Sequence, residues 1–155
     1  MKDILQKRYD EERLRQILEL AEEIEQDGKV VSRNKFAREY VNDNFPNIEF
    51  KLWDRNYQVV SREKIKRIAE LDLSSEKEYE SDVYDCDDYT GRFKYNTSFL
   101  YEVNSLGFVV SLDSAHAFNL VPFKDGSAKL LEPQEDRFVD PGGEMFQVEG
   151  ETVIF

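Results

Sequence analysis

Residues 84–89 read Tyr84-Asp85-Cys86-Asp87-Asp88-Tyr89 and contain the only cysteine of the chain. Apolar residues at helical spacing follow this stretch and predict a central helix from about Cys86 to Val103: Tyr89, Phe93, Leu100 and Val103. The unpaired N–H groups at the start of a helix favour negative charge, which assists formation of a thiolate. The stretch therefore bears on both the fold and the chemistry.

After the central helix, the apolar period changes from helical to strand-like. Short strands are predicted at Leu106 to Leu112, Ala115 to Phe123, Ser127 to Leu131, Phe146 to Val148 and Thr152 to Phe155. Gly126 lies in a predicted hairpin turn, because glycine supplies the positive φ that such turns need. Helices followed by an antiparallel sheet predict the α+β class.

The N-terminal third is predicted to be helical. One helix is expected at residues 3–27, ending before Gly28, and a second at about 33–44, after a Ser32 N-cap. We interpret residues 1–46 as a helical hairpin used for docking or homodimer formation, and residues 47–155 as the main domain. In that domain, Ser61 is expected to cap a further helix that ends near Leu71, and Trp53 and Tyr57 are expected to anchor an extended segment.

Composition restricts the function. The formal charge of −12 opposes binding to nucleic acids and to anionic membranes. A single cysteine excludes an internal disulfide, and the sequence contains neither an apolar signal core nor an apolar run of membrane length. These features predict a cytoplasmic protein, whose gene could belong to a virus or a mobile element.

Three residue types in the second half of the chain suit thiol chemistry. Cys86 is the candidate nucleophile, His116 the base, and Glu132 the acid that orients the imidazole. His116 precedes Gly126 by ten residues and Glu132 follows it by six, so a tight hairpin would place the two strands side by side. Each residue also has an ordinary structural role open to it, as a buried thiol or a satisfied core histidine.

The aspartates beside Cys86 bear on its reactivity. Negative charge raises the pKa of a thiol, and a bound divalent cation would reverse that field. Oxygen ligands suit Ca²⁺ first and Mg²⁺ or Mn²⁺ second. Paired aspartates at a helix start are otherwise caps that complement the helix dipole.

Three short segments, Tyr84 to Tyr89, Ala115-His116-Ala117 and Leu131-Glu132-Pro133-Gln134, resemble the papain-like, calcium-dependent cysteine protease domain of the Marasmius oreades agglutinin family. The resemblance covers about residues 50–139. It implies a papain-like fold in which Cys86, His116 and Glu132 are catalytic and Asp87 and Asp88 bind calcium. Gln134 and Tyr79 match cleft positions, and Tyr89 and Thr90 differ from the expected phenylalanine and alanine.

The resemblance predicts a calcium-dependent cysteine peptidase that acts on a peptide or protein substrate. The backbone N–H of Cys86 is one expected oxyanion donor, and Gln134 and Gln58 are candidates for the second. The lectin module of the agglutinins does not fit beside this domain in 155 residues, so carbohydrate binding is not implied. Alternatives are an amidase or transglutaminase-like enzyme, an inactive acidic module that binds metal or protein, and an acidic DNA mimic.

Overall fold

A computed structural model describes residues 9–155 and shows helices packed on a mixed sheet. The helices are α1 (Glu11–Asp27), α2 (Arg33–Lys35) with a π-helical continuation (Phe36–Asn42), α3 (Arg62–Leu71) and α4 (Cys86–Tyr101). The strands are β1 (Lys29–Ser32), β2 (Glu49–Lys51), β3 (Asn56–Val59), β4 (Gly107–Ser111), β5 (His116–Pro122), β6 (Ala128–Glu132), β7 (Arg137–Val139) and β8 (Thr152–Ile154). The predicted α+β class is confirmed.

Helix α1 begins and ends at recognisable capping residues. The Asp10 carboxylate accepts a hydrogen bond from the Arg13 N–H at 2.7 Å, and the Gly28 N–H closes the last turn on the Ile24 carbonyl at 2.7 Å. One face of the helix is buried: Leu14, Ile17, Leu20 and Ile24. The predicted end at Gly28 is therefore confirmed, whereas the predicted start at residue 3 lies outside the described residues.

The segment after α1 differs from the predicted helical hairpin of residues 1–46. Strand β1 intervenes and pairs antiparallel with β3 as a two-stranded ribbon. The second predicted helix is present, but most of it is π-helical. Ser32 precedes this helix without a side-chain capping bond, whereas Ser61 caps α3 by accepting from the Lys64 N–H at 3.3 Å.

The main sheet has the strand order β2-β8-β4-β5-β6-β7. All neighbours are antiparallel except β2 and β8, which pair in parallel, so the predicted purely antiparallel sheet is corrected. The predicted hairpin at Gly126 is confirmed, with φ of +92° at the glycine and the Phe123 N–H bonded to the Ser127 carbonyl at 2.8 Å. Strand β5 lies inside the sheet between β4 and β6, and all seven of its residues are buried.

Two apolar cores cover the two faces of this sheet. One core joins α1, α3 and α4 to one sheet face, and includes Ile17, Ile24, Ile68, Phe93, Val121 and Leu131. The other core lies beneath the π-helical segment and the β1–β3 ribbon, and includes Phe36, Tyr57, Val109, Phe118, Leu120 and Leu130. Alternation along β5 and β6 sends neighbouring side chains to opposite cores, which fixes the strand register.

Gly107 lies where β4 contacts β8 and the C-terminal residue. A Cβ at this position would approach Val153 Cγ2 to 2.4 Å and Phe155 Cε1 to 3.0 Å. We expect Gly107→Ala to lower the free energy of unfolding by about 1–3 kcal/mol through overpacking, as measured by urea denaturation. Gly91→Ala is the matched control, since its Cβ meets nothing closer than 3.4 Å and alanine favours the helix. Equal stability of Gly107→Ala and wild type would contradict the expected clash.

Within residues 9–155, no helix is long and apolar enough to span a membrane.

Candidate functional site

The hairpin of β5 and β6 brings the chain's only histidine to a buried carboxylate. His116 Nε2 lies 2.6 Å from Glu132 Oε2, with His116 8% and Glu132 5% exposed. The second carboxylate oxygen, Oε1, accepts the Gln134 N–H at 3.1 Å. Because both of its oxygens are held, the carboxylate fixes the orientation of the imidazole. The Nε2 atom of His116 contacts Glu132, and Nδ1 remains for another partner. The predicted proximity of these strands is confirmed.

The imidazole is also held by aromatic rings. The ring of His116 lies 6.0 Å from that of Phe118 and meets the ring of Phe146 edge-on at 5.5 Å. Ala115, immediately before His116, has φ of +50°, so the chain enters β5 through a left-handed residue. The ring orientation of His116 is therefore set by packing as well as by Glu132.

Cys86 is the first residue of α4, as predicted, and its thiol is half-buried. The thiol interacts with the backbone of Ala117, the residue after His116. Asn119 donates to the Thr90 carbonyl at 3.2 Å, which places α4 over the Ala117 and Asn119 side of β5. Since His116 and Phe118 point to the other side, thiol and imidazole approach the end of β5 from opposite faces of the sheet.

The surroundings of Cys86 hold its thiol protonated. Burial raises the pKa of Cys86 above its usual value, and the charges of Asp85 and Asp87 raise it further. Interaction with the Ala117 backbone acts in the opposite direction but does not outweigh them. The side chain of Cys86 is therefore a protonated thiol near neutral pH, contrary to the effect expected from the helix dipole alone.

The three aspartates beside Cys86 have different roles. Asp85 and Asp87 interact with each other: this pairing, and then burial, raises the pKa of Asp87, whereas the same pairing lowers the pKa of Asp85. Ligand atoms of Asp85, Cys86 and Asp87 lie within 4.8 Å of one another. Asp88 instead accepts the Asp85 N–H at 3.3 Å as part of a helix capping box.

Removing the charges of Asp85 and Asp87 is expected to lower the pKa of Cys86. Asp85→Asn/Asp87→Asn keeps a residue at the N-cap that caps as well as aspartate, so the helix start should persist. The measurement is the rate of iodoacetamide alkylation as a function of pH, which should move to lower pH. Asp10→Asn makes the same change at the N-cap of α1 and should leave the profile unmoved. An unmoved profile in the double variant would rule out these charges as a cause.

The other predicted site residues are distributed unevenly. Gln134 reaches the site through its backbone N–H, and Tyr79 lies between α3 and α4 with 51% of its surface exposed. Gln58 is bonded through its N–H to Asn104, beyond the C-terminal end of α4. At 1.5 Å per residue, the length of α4 separates Gln58 from Cys86 by roughly 20 Å. The prediction that Gln58 is an oxyanion donor is therefore wrong.

Sequence reasoning missed Asn119. Its amide nitrogen donates to the carbonyls of Thr90 and Gly107, both at 3.2 Å, and so fixes the first turns of α4 against the sheet. The signal was present, because a fully buried asparagine interrupts an otherwise apolar strand and must find partners.

Two solved structures are similar to this α+β fold. No protein-family model matches the chain, and no curated protein does. One similar solved structure is the PSL1a–E64 complex, with a TM-score of 0.60 and 17% identity over 81% of this chain. Another is Polyporus squamosus lectin bound to the human-type influenza-binding epitope Neu5Acα2-6Galβ1-4GlcNAc, with a TM-score of 0.52 and 22% identity over 70% of this chain. The chain spans 50% and 42% of those two chains, and the likeness shows the fold alone.

One of these neighbours is described as a lectin and neither is described as a protease, which corrects three predictions. Membership in the Marasmius oreades protease family, calcium-dependent peptidase activity and a peptide or protein substrate are not supported. These predictions depended on short motifs, and the structure gives the motif residues other roles. Asp85 and Asp88 are accounted for by helix capping, and the raised pKa of Cys86 is that of a protonated thiol.

Proposed function

We propose that Cys86, His116 and Glu132 form a covalent ligand-binding site in which the thiol of Cys86 is the nucleophile. The observation that carries this proposal is the buried 2.6 Å contact between His116 Nε2 and Glu132 Oε2, beside a strand backbone that the thiol contacts. Glu132 occupies Nε2, so the proton acceptor in this proposal is Nδ1, which would take the thiol proton at the end of β5, where the two side chains approach from opposite faces of the sheet. The thiolate then attacks an electrophilic carbon of the ligand: an S–C bond forms while the bond from that carbon to its leaving atom breaks, and the leaving atom takes the electron pair and, where it is basic, the proton held by the imidazole.

Two further features support this proposal. One neighbour was solved as a complex with E64, which makes E64 the first ligand to test on this chain. The other feature is that a helix beginning at the thiol packs on the sheet that carries the histidine, an arrangement that we propose is papain-like. That finer description of the fold is part of the proposal.

Covalent labelling tests the proposal. The chain is incubated with E64 or iodoacetamide, and adducts are located by intact mass and peptide mapping. We expect one adduct for each chain, at Cys86, formed faster in the folded protein than in the same protein unfolded in urea. Cys86→Ser is the control for labelling elsewhere. A folded protein that reacts more slowly than the unfolded one would show that Cys86 is an inert structural thiol.

A divalent cation beside the thiol is the second part of the proposal. Asp87 is a candidate ligand with Asp85, whereas Asp88 contributes only if it leaves its capping bond. Ca²⁺ suits these oxygens best, with Mn²⁺ or Mg²⁺ as alternatives. A bound cation would offset the charges that raise the pKa of Cys86. Labelling should therefore be faster with Ca²⁺ than with chelator in wild type, and the difference should disappear in Asp85→Asn/Asp87→Asn.

A second candidate function is carbohydrate binding, which the sialylated ligand of the lectin neighbour favours. A cavity of about 430 Å³ carries amide and carboxylate groups that suit sugar hydroxyls, including Asp54, Asn56, Gln58 and Asn104. Trp53, which precedes Asp54, is 73% exposed. It is the chain's only tryptophan, so its fluorescence can report ligand binding.

Titration with Neu5Acα2-6Galβ1-4GlcNAc tests this candidate. Saturable quenching of Trp53, weakened in Asn104→Ala, would support binding at the cavity. Cys86→Ser should bind as wild type does, which separates this function from the thiol site. No saturable change at millimolar trisaccharide would remove carbohydrate binding at this cavity.

Three predictions on organisation remain proposals. The first is the division of the chain at residue 46 into an N-terminal unit and a main domain. Helix α1 of that unit contributes to the same apolar core as α3 and α4. Homodimer formation through that unit is tested by sedimentation equilibrium. A cytoplasmic location is tested by fractionation of the source cells.

A further inference from the structure

A second group of polar side chains, three of them buried and two half-buried, lies between α3, α4 and the turn after β6. We call it the internal polar cluster and define it as Asp72, Ser74, Ser75, Asn96 and Asp136. Asp72 accepts from Asn96 Nδ2 at 2.7 Å and from the Ser74 N–H at 2.8 Å. Ser75 Oγ donates to Asp136 Oδ2 at 2.5 Å. These contacts join the segment before Cys86 to the turn after Glu132.

The cluster carries negative charge without a matching cation. Asp72 is 6% exposed and Asp136 is half-buried, and the two lie close enough for their charges to repel. Among the ion pairs of residues 9–155, none involves either carboxylate. Two carboxylates in a partly dry environment are stabilised by a positive partner.

The cluster also contains oxygen atoms with hydrogen-bonding capacity left over. Ser74 is fully buried, and its Oγ has no partner among the described residues. The buried Oδ1 of Asp136 has none there either. Ser74 lies in the chain between Asp72, to which its N–H is bonded, and Ser75, which is bonded to Asp136. The Ser74 hydroxyl and the carboxylates of Asp72 and Asp136 are all hard oxygen donors.

We propose that the internal polar cluster binds one hard cation, with Ca²⁺ the best chemical fit, through Asp72, Asp136 and the hydroxyl of Ser74. Carboxylate and hydroxyl oxygens are ligands of Ca²⁺, and two carboxylates balance its charge. The bound ion would hold the segment that leads into Cys86 against the turn that follows Glu132. This site is separate from the aspartates beside Cys86, and it does not depend on the reactivity of the thiol.

Calcium binding in a background without the outer aspartates tests the proposal. The Asp85→Asn/Asp87→Asn protein is stripped with chelator, dialysed and titrated with CaCl₂ by calorimetry. We expect one site for each chain, weakened on the order of tenfold or more by a further Asp136→Asn or Ser74→Ala. Asparagine tolerates the φ of +49° at Asp136, so that variant should fold, and circular dichroism verifies it.

Glu76→Gln removes a neighbouring exposed carboxylate and is the control for general loss of charge. It should leave the affinity within a factor of two or so of the background protein. Absence of any calcium binding in the Asp85→Asn/Asp87→Asn protein overturns the proposal. Binding of equal strength in Asp136→Asn overturns it as well.

Discussion

The Glu132→Ala variant is expected to lose about 3 kcal/mol of its free energy of unfolding near pH 7. Glu132 is 5% exposed, and its two oxygens accept hydrogen bonds from different partners, His116 and the Gln134 N–H. Alanine would leave both donors without an acceptor in a place that water does not readily reach. The lost side chain would also leave a cavity beside Phe118, because His116 and Phe118 pack on the same face.

Urea denaturation measures this loss, and Glu135→Ala is its matched control. Glu135 lies three residues further along, is exposed and pairs with Arg137 in an exposed ion pair. Its replacement should change the free energy of unfolding by no more than about 0.5 kcal/mol. Glu132→Gln should lose less than Glu132→Ala, since an amide oxygen still accepts one hydrogen bond. A loss below about 1 kcal/mol in Glu132→Ala would mean that the contact between His116 and Glu132 does not stabilise the fold.

The features that sequence predicts well here depend on local chemistry. Gly126 determines a turn, the turn sets the pairing of β5 with β6, and the pairing brings His116 to Glu132. The start of α4 at Cys86 follows in the same way from the capping residues around it. Each of these steps involves residues no more than sixteen apart, so hydrophobic period and turn type suffice to predict them.

The features that sequence misses depend on distant contacts. Strand β2 pairs in parallel with β8, about a hundred residues away, and no local pattern marks either short strand. Phe146 was predicted to begin a strand, yet it forms only an isolated bridge to Gly142 and packs on His116. Trp53 was expected to anchor the core and is 73% exposed, whereas Tyr57 is fully buried. Aromatic side chains alone do not reveal which of them the tertiary structure covers.

At the candidate site, composition predicts the residues but not their electrostatic state. The helix start at Cys86 favours a thiolate, whereas burial and the carboxylates of Asp85 and Asp87 favour the thiol. Only the structure shows which influence prevails. It also shows that the Asp87 carboxyl interacts with Asp85, whereas Asp88 accepts the Asp85 N–H.

Replacement of His116 is expected to slow alkylation of Cys86 on the order of 100-fold at pH 7.5. His116→Gln is the informative variant, because its amide can donate to Glu132 and so avoids an unpaired buried carboxylate, yet it cannot accept the thiol proton. Without a base, the reaction depends on the small fraction of Cys86 that is ionised. That fraction is low because burial and Asp85 raise the pKa of the thiol.

The pH dependence distinguishes a base from a group that only shapes the site. At high pH the thiol ionises without assistance, so the rates of wild type and His116→Gln should converge as pH rises through the raised pKa of Cys86. The measurement is the pseudo-first-order rate of iodoacetamide labelling, followed by intact mass between pH 6 and pH 10. A constant ratio of the two rates across this range would show that His116 controls access to the thiol. Equal rates at pH 7.5 would show that the imidazole does not act on Cys86, and the two faces of the sheet would then keep them apart.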